Sequence, residues 1–205
     1  MNSVLVLRLK RGLGSGRWLV HFLGLLSSIW LVLNVLQNQL GPDPVKQLVL
    51  LTGERGFQFL LFSLAISPLA RLLTAPLLIQ WRRPAGLWAF YFLSLHLLVF
   101  FQGYIGWSWT ILIEELKERP YISVGALAWL LLVPLALTST RRARLKLGRR
   151  WRLLHRLVFI VAALACLHII WQVRSDWINA GVYTLTCVLI VGSRYRNLRC
   201  FSKAI

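Results

Sequence analysis

The apolar residues of this chain fall into long runs separated by short polar or basic stretches. Six runs can be marked, at residues 18–36, 57–73, 85–101, 122–138, 153–173 and 177–191. A bilayer core takes about 20 helical residues, so each run predicts one membrane-crossing helix, the shorter ones extending into their flanks. None shows sustained polar alternation, which argues against a β-barrel. The expected fold is therefore all-α: an integral membrane bundle of six transmembrane helices, built as one domain over residues 1–205.

The segments between the runs carry their own signals. Residues 1–17 read as a short basic arm with Gly12, Gly14 and Gly16. Residues 37–53 read as a loop, because Gly41, Pro42 and Pro44 interrupt any helix there. Pro68, late in the second run, predicts a kink or an early stop. Residues 74–84 read as a short loop, with Pro84 well placed at a helix start. The run from Ile111 to Pro120, ILIEELKERP, predicts a short surface helix stopped by proline. Residues 139–150, STRRARLKLGRR, form the most basic loop.

Charge turns this pattern into a topology. With the N-terminus in the cytoplasm, nineteen of the 24 Lys and Arg fall on the inside, and all six acidic residues fall outside. That is a positive-inside pattern with both termini cytoplasmic. The net charge of +18 comes in short clusters between apolar runs, not in a folded basic module, so it points to anionic headgroups and not to nucleic acid. The composition agrees: 58% hydrophobic, ten Trp, and a mean hydropathy of +0.66. The first run is too long for a secretory h-region, and no small-x-small site follows it, so it reads as an uncleaved span.

The candidate chemistry lies in the histidines, all four of which sit in apolar runs. Ionisable groups in hydrocarbon are costly and are usually functional. Imidazole is a common metal ligand and an axial ligand of haem. His96 lies 12 residues beyond Pro84, about 18 Å in from the cytoplasmic side. His168 lies at a similar depth on the fifth run, so a haem between the third and fifth spans would take an imidazole on each face. Such a centre transfers electrons and has no open position for substrate.

His155 is 13 residues before His168, roughly 20 Å along an ideal helix and roughly 140° around it. It therefore faces another neighbour, near the inside boundary. His21 is at a comparable depth on the first span. Each could be an interfacial histidine; the expected role of His155 is to help hold a second, inside-facing haem, with His21 as the second ligand. Arg55 and Arg174, on the outside ends of the second and fifth spans, either pair with haem propionates or snorkel to headgroups.

Other chemistry finds no support. There is no C-x-x-C-H for covalent haem. Cys166, Cys187 and Cys200 show neither pairing nor zinc spacing. Walker A and G-x-G-x-x-G motifs are absent, and the acids lie too far out for an intramembrane carboxylate relay. No residue is singled out as catalytic. Two function classes remain: an electron-transfer membrane cytochrome, or a non-redox transporter or assembly scaffold whose histidines serve packing.

Four stretches carry a resemblance: GPDPVKQLVLLTGERGFQFLLFSLAISPLARLL, RRPAGLWAFYFLSLHLLVF, ERPYISVGALAWLLLVPLALTS and LGRRWRLLHRLVFIVAALACLHIIW. Together they resemble the MsrQ (YedZ) family of haem-binding membrane subunits, which belongs with the ferric-reductase-like membrane domains, and the likeness runs over about residues 18–196. The resemblance implies b-type haem, electrons from the quinone pool and flavin mononucleotide (FMN). It also implies delivery to a periplasmic molybdopterin reductase, MsrP, held as a heterodimer partner at the bacterial inner membrane. His96, His155 and His168 fall where the family has its haem histidines, and His21 matches one present in some members.

Overall fold

The computed structural model describes residues 3–173 and 177–202, with side chains placed from 16 to 173 and from 177 to 193. Among these residues every regular element is helical. Five helical stretches are long and apolar enough to cross a membrane: Gly16–Leu36, Pro44–Leu72, Pro76–Ile105, Pro120–Leu137 and Arg149–Gln172. The last helix contributes a shorter apolar stretch, Trp177–Ser193.

Several boundaries differ from the sequence expectation, each for a local reason. Helix α1 runs Ser3–Leu36, so the supposed basic arm is helical. Its glycines are single, each costing roughly 1 kcal/mol against alanine, and no proline interrupts the run. Helix α2 spans Pro44–Leu72 and starts well inside the expected loop. Pro44 occupies the first turn, where a missing N–H costs nothing, and the Asp43 carboxylate accepts from the Lys46 backbone N–H at 3.0 Å. The helix also continues past Pro68 to Leu72, so the early stop does not occur. A 3₁₀ segment, Pro76–Trp81, then leads into α3, Arg82–Phe100. One π-helical turn, Phe101–Ile105, ends α3 at Gly106, whose φ of +56° suits glycine.

The expected surface helix is present as α4, Trp109–Glu118. Arg119 closes it and opens α5, Pro120–Leu137. The basic loop is itself helical, as α6, Arg141–Leu147, and α7, Arg149–Leu154, joined at Gly148 with φ +51°. Helix α8, Leu157–Gln172, does not continue α7 smoothly. At the junction Arg156 N–H bonds the Leu153 carbonyl and Phe159 N–H bonds the Arg156 carbonyl, both at 3.1 Å. These i to i−3 bonds tighten the turn. The ideal-helix rotation between His155 and His168 therefore does not hold. Helix α9 is Trp177–Ser202.

The chain packs as two compact units, Met1–Phe92 and Leu93–Ile205. In the first, Val20, Ile66 and Ala85 are buried, with Phe59, Phe62, Leu78, Trp81 and Trp88 around them. Glycines let α1 approach: Gly16 faces the Trp81 ring and Gly24 the Trp88 ring, neither with room for a methyl group. Small residues at such contacts are the usual means of close helix packing in membranes. In the second unit α5 lies along α8, α8 packs on α9, and α4 packs on α5. Ala128 and Leu132 of α5, and Val161 and Ala162 of α8, are buried.

Candidate functional site

The second unit brings His96 of α3 and His168 of α8 together. Their ring centres are 6.3 Å apart and their planes are nearly perpendicular, at 87°. An imidazole nitrogen binds a metal at about 2.0–2.1 Å and the ring centre lies roughly 1.1 Å behind it, so two rings on opposite sides of one ion have centres roughly 6.3 Å apart. The observed spacing fits a metal held between the two rings.

His168 is prepared for this by α5. Its Nδ1 lies 2.7 Å from the Tyr121 backbone oxygen. A carbonyl can only accept, so Nδ1 carries the hydrogen and Nε2 presents a lone pair. Tyr121 sits in the first turn of α5, and its ring centre is 5.8 Å from that of His168. One turn on, Gly125 leaves the space that the ring fills: a Cβ there would lie 2.8 Å from Nδ1 and 2.9 Å from Cε1. One turn further, Trp129 Nε1–H donates to Ser94 Oγ of α3 at 3.0 Å, two residues before His96. From Ile122 onward α5 has no ionisable side chain. It nevertheless touches both histidine-bearing helices.

The other two histidines hold their hydrogens differently. His155 sits in the turn between α7 and α8, with Trp151 stacked on it at 4.0 Å. Its Nε2 is 3.1 Å from Thr138 Oγ1, at the end of α5. The Thr138 hydroxyl gives its one hydrogen to the Pro134 carbonyl, at 2.6 Å. With that hydrogen committed, Nε2 of His155 is the donor and the ring's lone pair lies on Nδ1. Trp151 Nε1–H, for its part, donates to the Thr138 carbonyl at 3.0 Å.

His21 belongs to the first unit. Trp88 Nε1–H donates to its Nδ1 at 3.3 Å. Indole is a donor only, so in the neutral ring the hydrogen is on Nε2. His21 thus also lacks an exposed Nε2 lone pair. In the same unit Arg55 lies inside α2, not at its mouth. Its guanidinium is 5.3 Å from the Trp30 ring centre, Nη1 donates to Gln58 Oε1 at 2.9 Å, and its buried Nε is unpaired. Arg174 lies outside the described residues.

The cysteines hold one surprise. Cys166 of α8 and Cys187 of α9 are buried and lie close enough to interact, although their spacing along the chain gave no sign of pairing. Among the described residues no three His, Cys, Asp or Glu side chains converge as a metal cluster.

Comparison with known proteins bears on this geometry. The family model described as the ferric reductase like transmembrane component matches residues 23–166, well over half of the chain. That class consists of membrane redox components. The haem-binding subunit MsrQ of the protein-methionine-sulfoxide reductase of Salmonella arizonae is 40% identical over 181 residues, 88% of this chain and 91% of the relative. The chain therefore belongs to the MsrQ family of haem-binding membrane subunits, within the ferric-reductase-like class. The matched stretch contains His96 and His155, and His21 and His168 lie two residues outside its two ends. No solved structure matches.

Proposed function

We propose that this chain is a b-type haem subunit whose iron is held by His96 and His168. It would pass electrons from the quinone pool across the bacterial inner membrane to a periplasmic methionine-sulfoxide reductase. Family membership supports a membrane haem protein with a redox role. The observation that carries the ligand assignment is the ring pair, with centres 6.3 Å apart and the His168 hydrogen held on Nδ1. A haem held there would supply a one-electron couple. The protein's own part is to fix two imidazoles, one of them with its lone pair already oriented, in an apolar surrounding.

The wider assembly follows from the sequence and the family. The reading takes six spans, with α9 as the sixth, and both termini in the cytoplasm. It takes a heterodimer with an MsrP-like partner, which brings the sulfoxide chemistry. FMN rests on the resemblance alone.

His155 and His21 we read as packing histidines, not as ligands of a second haem. Each has its hydrogen on Nε2 and a tryptophan against it. A second haem held through Nε2 of His155 would require that nitrogen to give up Thr138. Arg55, whose buried Nε has no hydrogen-bond partner, keeps a donor for an anionic group within its own unit.

The test is direct. Protein purified from haem-replete cells should be red and show sharp bands on dithionite reduction. His96→Ala and His168→Ala should each insert normally and lose the low-spin haem. Colourless wild-type protein would contradict the reading, as would full haem content in both variants.

A further inference from the structure

We infer that the first turns of α5 are a cradle that sets the electronic character of the His168 ligand, and with it the redox poise of the centre. The inference rests on the ligand assignment above. Its material is two features with no functional side chain: the Tyr121 carbonyl and the missing Cβ of Gly125.

The carbonyl acts through charge. An imidazole whose Nδ1–H is hydrogen-bonded donates more electron density through Nε2, because the bond gives it part of the character of an imidazolate. That density stabilises the ferric ion more than the ferrous one, so the bond holds the potential down. At 2.7 Å the contact is at the short end for N–H to O, and it lies in an apolar surrounding where such bonds count for more than in water.

The glycine acts through space. The His168 ring lies directly against the α5 backbone, in the position a Cβ of residue 125 would occupy. Tyr121 and Gly125 are one turn apart on the same face, so the site for the ring and the acceptor for its hydrogen are one structure. An alanine at 125 would force the ring from 2.8 Å out to at least the 3.4 Å of an ordinary contact. That shift would lengthen the bond to Tyr121 and move Nε2 relative to His96. The corner that positions Tyr121 is itself fastened. Arg119, which opens α5, makes an ion pair with Glu115 of α4 at 2.9 Å.

The experiment compares Gly125→Ala with Gly181→Ala, a substitution on α9 that meets open space. Gly125→Ala should lower haem affinity by about 10- to 100-fold, the usual cost of disturbing a partner of a metal-binding histidine. In the haem that remains, the ferric-to-ferrous preference should fall about tenfold, a rise in midpoint potential of about 59 mV for one electron. The low-spin signal should change shape. Gly181→Ala should match wild type in all three. An unchanged potential and spectrum in Gly125→Ala would overturn the inference.

A second measurement does not depend on that variant folding. In His168→Gly, added imidazole can donate to the Tyr121 carbonyl, whereas 1-methylimidazole cannot. The imidazole complex should have the lower potential, by about tenfold in the same preference beyond the difference that this pair shows on free haem. Equal offsets would overturn the inference. The ligand assignment fails separately, if His168→Ala keeps its full low-spin haem.

Discussion

Glycine meets an aromatic ring in both units, with different consequences. In Met1–Phe92, Gly16 and Gly24 receive the rings of Trp81 and Trp88, and the result is close helix packing. In Leu93–Ile205, Gly125 receives the ring of His168, and the result is an imidazole with its hydrogen fixed on Nδ1 and its lone pair on Nε2. The histidines follow the same division. His21 accepts from Trp88, so its free nitrogen carries a hydrogen, whereas His168 donates to a carbonyl, so its free nitrogen does not. What one ring nitrogen touches decides whether the other carries a hydrogen or a lone pair.

The largest effect expected from this contrast is total. His168→Ala or His96→Ala should remove the low-spin haem, measured as haem per polypeptide in protein that still inserts. His21→Ala should leave haem content at the wild-type value. Loss of haem in His21→Ala would break the comparison, because it would make a tryptophan-bonded histidine a ligand.

Next in size is the packing on the first unit. Gly24→Ala should destabilise the protein by about 1–3 kcal/mol, the usual range for overpacking, seen as earlier thermal unfolding in detergent. Its haem spectrum should not change. Gly125→Ala should do the reverse, moving the spectrum and the potential more than the unfolding temperature.

Smaller again is the response at His155. His155→Ala removes the hydrogen bond to Thr138, and Thr138→Ala removes that bond and the one to the Pro134 carbonyl, at about 0.5–1.5 kcal/mol per bond. Both should keep wild-type haem stoichiometry. A fall to a lower integral number of haems in His155→Ala alone would restore a second centre on that side.

Much of this was legible in the sequence. The apolar runs locate the five candidate spans and the shorter apolar stretch of the last helix, and the similar depths of His96 and His168 single out the two rings that the structure brings together. Helix starts were harder, because Asp43 and Pro44 cap α2 far ahead of the apolar run that was marked as its beginning. The turn at His155 and Arg156 could not be read, since no glycine or proline stands there and only the hydrogen-bond pattern reveals it. Least visible was the role of α5. A backbone carbonyl has no residue-type signature, and Gly125 differs from other glycines of the apolar runs only in what packs against it. A glycine one turn from the start of an apolar helix was the one available hint.

The claim at the centre of this account is that the His96 and His168 rings bind one iron in the arrangement seen, with planes 87° apart. Perpendicular axial imidazoles leave two iron d orbitals nearly equal in energy, and ferric iron then gives a highly anisotropic low-spin electron paramagnetic resonance signal. Parallel rings separate those orbitals and give a rhombic signal. Purified, oxidised wild-type protein should show the highly anisotropic signal, absent from His96→Ala and His168→Ala. A rhombic or high-spin spectrum from the wild-type protein would contradict the account.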